Sequence, residues 1–434
     1  MSSIAARLDS IGLTTEPIES KATLFERALD ALGSGARDAR MWWVPGRIEF
    51  LGKHTDYAGG PSLICAVERG FAVAAAPRTD RRLRFHDACS NEAVEHELDA
   101  ELSPPRGHWS NYPLTVSRRV ARNFPGALRG VDVAFASDLP SAAGLSSSSA
   151  LIVATFLALS DANQLPARAE YRATIRGLEG LAGYLGAVEN GSNYGSLVGD
   201  KGVGTQGGSE DHTAILCARP GALAQYSYLP IRCARVVALP NELVFAVASS
   251  GVVAAKTGGA MERYNRASAL AAQALNAWRD AKASRAPTLS VALAEAPNGI
   301  ADFRDVLRAQ REVLDRVEQF YEESTRVQEA GDVLSAGNLD RLGALVDESQ
   351  AGAERLLRNQ IPETIALWRI ARDMGAVAAS AFGAGFGGSV YALVHLSDAL
   401  DFVQRWLERY GGAFPTREGT AFVTRAGPPA TVLP

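Results

Sequence analysis

Residues 140–151 read PSAAGLSSSSAL and run without a break into the apolar stretch ALIVATFLAL at 150–159. A loop of Gly, Ala and Ser presents backbone N–H groups and hydroxyls with no bulk in the way. A helix that begins there adds the positive end of its dipole. Together they form an anion site suited to phosphate, the alternative being a Ser-rich turn that caps a core helix. On either reading a buried helix starts near Ser149, and the rest of the chain has to be arranged around it.

Two more segments carry candidate chemistry. Residues 45–60, PGRIEFLGKHTDYAGG, crowd Arg47, Lys53, His54 and Asp56 between glycines. The preceding MWWV and the internal IEFL read as strand, so the polar cluster falls on a turn after a strand, where side chains converge on a small polar ligand. Residues 383–389, GAGFGGS, hold four glycines in six positions and lead into the strand-like VYALV. Such a loop permits close backbone approach or positive φ. It precedes a strand and lacks GxGxxG spacing, so it does not read as a dinucleotide site.

Composition sets bounds on function. A chain of 434 residues suggests two or three domains, and an apolar fraction of 47% permits full cores. A net charge of −4 gives no footprint for nucleic acid or an anionic membrane. No apolar run approaches the ~18 residues that span a bilayer. The start, MSSIAARLDSIGL, has no basic region followed by a sustained apolar core. Cys65, Cys89, Cys217 and Cys233 show no CxxC spacing and read as reduced thiols, and the six histidines show no HExxH. The expectation is a cytoplasmic protein with no metal bound by a His/Cys motif.

Periodicity predicts helices over 22–32, 112–123, 149–161, 170–185, 259–281, 300–330, 339–359 and 400–410. Strands are expected over 41–51, 63–77, 83–87, 131–136, 222–228, 235–238, 243–249 and 419–425, with two more joined by the glycine loop over 377–395. Strands come first and helices later, which favours α+β over a doubly wound sheet. Residues 191–208 read as loop and carry seven glycines.

Taken in order, the three segments resemble the three signature motifs of the GHMP small-molecule kinases, the family of galactokinase, homoserine kinase, mevalonate kinase and phosphomevalonate kinase. GRIEFLGKHTDYAGG resembles the galactokinase pattern GR-x-N-x-x-GEH-x-DY-x-x-G, GLSSSSAL resembles GLSSSASL, and GAGFGG matches the third motif. WSNY at 109–112 resembles the WANY of galactokinases, and MERYNR at 261–266 falls where they carry a Tyr in an Arg-rich helix. The resemblance implies a two-lobed α+β fold with a ribosomal protein S5 domain 2-like N-terminal lobe and a ferredoxin-like α/β C-terminal lobe. The lobes are expected over 1–215 and 216–434, with the active site between them.

The resemblance also implies roles. The activity is an ATP-dependent phosphotransfer to the anomeric hydroxyl of galactose or a related sugar, with Mg²⁺. Asp211, in GSEDH at the place of the family's GIMDQ, is the catalytic carboxylate, and Arg47 holds it ionised and offsets phosphoryl charge. Its neighbour Glu210 is expected to point away from the site, on an extended segment. Lys53, His54, Asp56, Gly208 and Tyr264 face the sugar. Trp109 and Tyr112 flank adenine, while Gly144, Leu145, Ser146, Ser147, Ser148 and Ser149 cradle the phosphates. Gly383, Gly385, Phe386, Gly387 and Gly388 form the third motif. Ser148 and Glu189 are the Mg²⁺ ligands, with Glu179 the alternative carboxylate.

Departures from the pattern matter. The family's Glu in GEH is Lys53 and its Asn is Glu49. A cation at 53 suits a sugar acid such as galacturonate or glucuronate; alternatively Lys53 pairs with Glu49. The span from Glu189 to Asp211 is nearly twice that of the family, so the glycine-rich segment is an insertion, either a lid or a surface loop. A catalytically silent sugar sensor on this fold is the competing class, but the full-length GLSSSSAL, Arg47 and Asp211 favour an enzyme. GKHTDY argues against a mevalonate-type substrate. Oligomeric state is not legible in the sequence.

Overall fold

The structure is a computed structural model that describes residues 3–14, 18–140, 143–252 and 259–434. Ser141 and Ala142 of the small-residue loop lie outside the described residues. The strands are β1 (Arg40–Leu51), β2 (Pro61–Pro77), β3 (Arg82–Asp87), β4 (Glu92–Glu97), β5 (Val131–Ser137), β6 (Ala222–Ser227) and β7 (Arg232–Ala238). They continue with β8 (Leu243–Ser249), β9 (Ala378–Ala381), β10 (Ser389–His395), β11 (Thr420–Thr424), β12 (Ala426–Gly427) and β13 (Thr431–Val432). The helices are α1 (Ser3–Asp9), α2 (Ile18–Leu32), α3 (Asn111–Asn123), α4 (Ser147–Ala162), α5 (Ala169–Thr174), α6 (Gly177–Asn190) and α7 (Glu210–Cys217). After these come α8 (Gly259–Lys282), α9 (Leu289–Glu295), α10 (Ile300–Leu307), α11 (Arg311–Ser335), α12 (Leu339–Gly352), α13 (Pro362–Asp373) and α14 (Ala399–Ala413).

β2 is the spine of the first sheet. One edge carries β1, antiparallel. Its other edge is shared in turn by β6 at residues 61–64, β12 at 66–67 and β5 at 71–77. β3 continues from β5 in parallel, and β4 closes that side. β13 lies on the far edge of β1, and β7 extends β6. The alternation of strand side chains sends neighbouring residues to opposite faces. Trp42 and Val44 enter the main core with Phe50, Val116, Ile152 and Leu185. Trp43 enters a second cluster, under α1 and α2, with Phe25, Ala72 and Ala74.

The second sheet runs β11-β8-β10-β9, all antiparallel. Val244, Ala246 and Ala392 pack beneath α13 and α14, in one cluster with Trp406 of α14, while Phe245, Val247, Tyr391 and Leu393 turn the other way and join the main core. That shared core fuses the two lobes. A third cluster lies among α8 to α11, where the Trp278 and Phe303 rings stack at 4.3 Å. Among the described residues, no helix is long and apolar enough to cross a membrane.

Four expectations need correction. The helix expected over 170–185 is two helices, because Ile175 and Arg176 are extended and Gly177 has φ +67°. Those expected over 300–330 and 339–359 also break, the first at 308–310 and the second into a π-helical turn, Ala353–Leu357. The apolar stretch after Asp211, expected as strand, is the helix α7. A short buried apolar run does not distinguish the two by periodicity.

Candidate active site

The site is built from the ends of elements. β1 carries register shifts between Pro45 and Arg47 and between Glu49 and Leu51. Such bulges re-aim side chains. Ile48 and Phe50 go to the core, and Arg47 and Glu49 face a cavity of about 870 Å³. The turn after β1 supplies His54 and Asp56, the start of α4 supplies the serines, the end of α6 Glu189, the start of α7 Asp211, and α8 Tyr264.

Arg47 is the hub. Its Nε donates to Oδ1 of Asp211 at 2.7 Å, and its Nη1 donates to the carbonyl of Gly144 at 2.5 Å. Burial pulls its guanidinium down, but Asp211, Glu49 and Glu210 outweigh that and raise it overall. Asp56 accepts from the backbone N–H of Tyr57 at 2.8 Å and of Glu210 at 3.0 Å. Burial, reinforced by Asp211, pushes its carboxyl up to about 6. Gly208 has to be glycine, because a Cβ there would lie 2.3 Å from Oδ2 of Asp56. His54 contacts Tyr57 Oη through Nδ1 (3.0 Å) and the carbonyl of Ala384 through Nε2 (3.2 Å). Burial, helped by Arg316, lowers it to about 3. A neutral ring donating through Nε2–H and accepting at Nδ1 fits both partners.

The structure brings most of the expected residues together. Arg47, His54, Asp56, Gly208, Asp211 and Tyr264 all line the cavity, with Arg47 on Asp211, Gly208 against Asp56 and the His54 and Tyr264 rings in contact. Trp109 and Tyr112 line it too, as do Phe71, Phe135 and Leu139, with the Phe135 ring against those of Trp109 and Phe71. Gly144, Ser146, Ser147, Ser148 and Glu189 line it as well, and so do Gly383, Gly385 and Gly387. Glu179, ten residues before Glu189 on α6, does not line the cavity. At 1.5 Å per residue it lies about 15 Å away along the helix.

Other expectations are corrected. Lys53 is 1% exposed and does not line the cavity. Its Nζ donates to Ser349 Oγ at 2.9 Å, on α12, and its backbone N–H donates to Glu323. The ammonium is thus turned to Ser349 behind the wall, near enough to Glu49 to pull on its carboxyl, and does not face the cavity where a sugar carboxylate would lie. Glu210, expected to point away, is 5% exposed and lines the cavity, because the segment is helix and not strand. Leu145, Ser149, Phe386 and Gly388 do not line it either. Leu145 is in the core and its carbonyl accepts from Arg47 N–H. Phe386 has its ring against Arg263, and Gly388 is tied to Ser250. Ser149 faces Glu189 and Asp211.

Residues the sequence did not single out also shape the site. Asn111 and Thr205 line the cavity, as does His212, whose Nε2 is 3.3 Å from Glu189. Asn111 lay within the WSNY match; nothing in the sequence marked Thr205. The donor set suits a nucleotide phosphate. Ser146, with φ +58° at the head of α4, has a buried Oγ that lacks a partner in the described structure and lines the cavity. Together with the following hydroxyls and the start of a sixteen-residue helix, it offers donors to an anion. Ser148 and Glu189 supply hard oxygens of the kind Mg²⁺ takes alongside phosphate oxygens.

These three segments, assembled around one cavity, define a GHMP-type small-molecule kinase site, and the comparisons agree. The galactokinase galactose-binding signature matches residues 33–77, the GHMP kinase N-terminal domain 111–191 and the GHMP kinase C-terminal domain 332–412. A galactokinase from Chloroflexus aggregans is 29% identical over 387 residues, 87% of this chain and 89% of the relative. The fold is similar to Lactococcus lactis galactokinase crystallised with galactose, with a TM-score of 0.80 at 20% identity, covering 95% of this chain and 99% of that one. The mevalonate kinase of Methanococcus jannaschii has a TM-score of 0.52 at 14% identity, over 88% and 97% of the two chains. The chain belongs to the GHMP kinase superfamily, on its galactokinase-like branch.

Proposed function

We propose that this protein transfers the γ-phosphoryl group of ATP to the anomeric hydroxyl of galactose or a closely related neutral sugar. The carrying observation is the Arg47–Asp211 ion pair, set between the phosphate loop at Gly144 and the buried Asp56. In this reading Asp56 accepts hydrogen bonds from sugar hydroxyls, with Tyr264 and His54 bounding the ring. The anomeric O–H is presented to Asp211. As its oxygen bonds to the γ-phosphorus, the proton passes to the Asp211 carboxylate and the bond to the β-phosphate oxygen breaks, leaving ADP. Arg47 stays beside Asp211 and offsets charge on the transferring group. Ser148 and Glu189 would hold Mg²⁺, which neutralises phosphate charge when bound.

The charges here support a neutral sugar. Glu49, Asp56, Glu210 and Asp211 face the same region as a single guanidinium, Arg47, and the ammonium of Lys53 is held elsewhere. A sugar carboxylate would meet Asp211 and three further carboxyl groups there, while Arg47, the guanidinium among them, is already engaged by Asp211. The test is ADP release with galactose, arabinose, galacturonate and glucuronate, for the wild type and Asp211→Asn. The expected result is turnover of a neutral sugar, with kcat lower by several orders of magnitude in the variant and ATP affinity kept. Near-wild-type turnover by Asp211→Asn removes the role of Asp211, and preference for a uronate overturns the substrate class.

A further inference from the structure

Glu189 is held at both of its oxygens by hydroxyls from different parts of the chain. Ser149 Oγ, on the first turn of α4, donates to Oε2 at 2.8 Å. Thr205 Oγ1 reaches Oε1 at 3.4 Å. Ser149 is fully buried, and Thr205 is 4% exposed at the edge of the cavity. Ser149 Oγ also lies 3.3 Å from Oδ2 of Asp211. Its one proton can go to either carboxylate, and the distances favour Glu189. That hydroxyl lies between the two carboxylates, with His212 Nε2 also 3.3 Å from Oε2 of Glu189 and Arg47 on Asp211. The kinase pattern GLSSSASL has Ala where this chain has Ser149.

Thr205 is delivered by the glycine-rich segment 191–208, which is tied down along its length. Asp200 accepts from Arg118 Nε at 2.7 Å, with both side chains buried. Asn111 Nδ2 donates to the carbonyl of Val203 at 3.1 Å, and Asn190 Nδ2 to that of Gly207 at 2.8 Å. Asn265, on α8, donates to the carbonyl of Gly204 and accepts from Gln206 N–H. These ties bracket residue 205 on both sides.

A carboxylate that rotates freely presents its lone pairs to a cation only part of the time. Partners on both oxygens fix the plane, and losing such outer contacts typically costs 10–100-fold in metal affinity. We infer that Ser149 and Thr205 are positioning residues that clamp Glu189 for the divalent cation accompanying the nucleotide, and that the 191–208 segment is the arm carrying one jaw. This rests on the reading of Glu189 as the cation's carboxylate. The arm is accordingly a fixed wall of the site, and its length serves the reach to Glu189.

The experiment titrates Mn²⁺ into the full chain with ADP present, following free Mn²⁺ by electron paramagnetic resonance. The variants are Ser149→Ala, Thr205→Val, Thr205→Ser and Glu189→Gln, and sugar affinity is measured in parallel by calorimetry. Ser149→Ala and Thr205→Val are expected to weaken Mn²⁺ binding by about tenfold or more. Thr205→Ser restores it, and sugar affinity stays within twofold in all of them. Should Ser149→Ala fail to fold, the Thr205 pair decides alone. If Glu189→Gln loses Mn²⁺ while Ser149→Ala and Thr205→Val bind it within twofold of wild type, the clamp is overturned and the assignment of Glu189 stands. If Glu189→Gln binds normally, both fall. If Thr205→Ser does not restore binding, the hydroxyl is not the jaw and the inference is overturned there too.

Discussion

Glu49 is a buried acid in the wall of the cavity. It is 4% exposed, and no donor reaches its Oε1. Burial pushes its carboxyl up to about 7, against the pull of Lys53 and Arg47. Its neighbour Glu210 is raised well above the ordinary range, by burial and then by Glu49 and Asp56. A carboxyl raised on folding means that the folded state binds protons more readily than the unfolded chain. Its contribution to stability is fully present below about pH 4 and is lost as pH rises through about 7. Glu49→Gln removes that dependence. Thermal melts of the two proteins should therefore diverge with pH, the variant gaining on the wild type between pH 5 and 8. A gap that is flat across this range would place the penalty elsewhere.

Among the elements, the 191–208 segment makes the sharpest prediction. Its Asp200 is paired with Arg118 at 2.7 Å and lies near Arg119 at 3.7 Å, all three side chains being buried. Breaking a buried pair from one side costs about 3–5 kcal/mol, because the partner charge is left without compensation. Asp200→Ala should loosen the segment locally. Limited proteolysis is expected to cut within it at least about tenfold faster than in wild type, before the rest of the chain is attacked. Unchanged cutting would mean that the backbone ties at Val203 and Gly207 suffice.

At this scale the sequence showed most of the fold. The apolar MWWV and IEFL mark β1, and the apolar run after Ser149 is the buried α4. What stayed hidden was direction and termination. The short apolar HTAIL of α7 reads equally as strand or helix, and the extended reading turns Glu210 the wrong way. The direction of Lys53 depends on Glu323 and Ser349, some 270 to 296 residues away. The break at Ile175 depends on its burial in the core. Contacts so distant leave no trace in local spacing. The cavity residues carried by motifs were legible; Thr205 was not, because its role comes from where Asn111, Asn190 and Asn265 hold its neighbours.

For the whole molecule, the first sheet matters most. It takes strands from both ends of the chain: β6 and β7 from the middle, β12 and β13 from the C-terminus. A fragment of residues 1–215 lacks all four, and it leaves the lower half of β2 without a second neighbour. Circular dichroism of that fragment is expected to show no cooperative thermal transition. A sharp transition like that of the full chain would show that α3, α4 and α6 suffice to hold β1, β2 and β5.

The pairing of Trp42 with Val432 also sets a clock. On a ribosome adding about 5–20 residues per second, β1 is made roughly twenty seconds to over a minute before its outer partner exists. Through that interval its edge is an open template for any other nascent strand nearby. Residues 431–432 therefore act as a seal on the first lobe, and stalled translation products that stop short of them should self-associate more than products that include them.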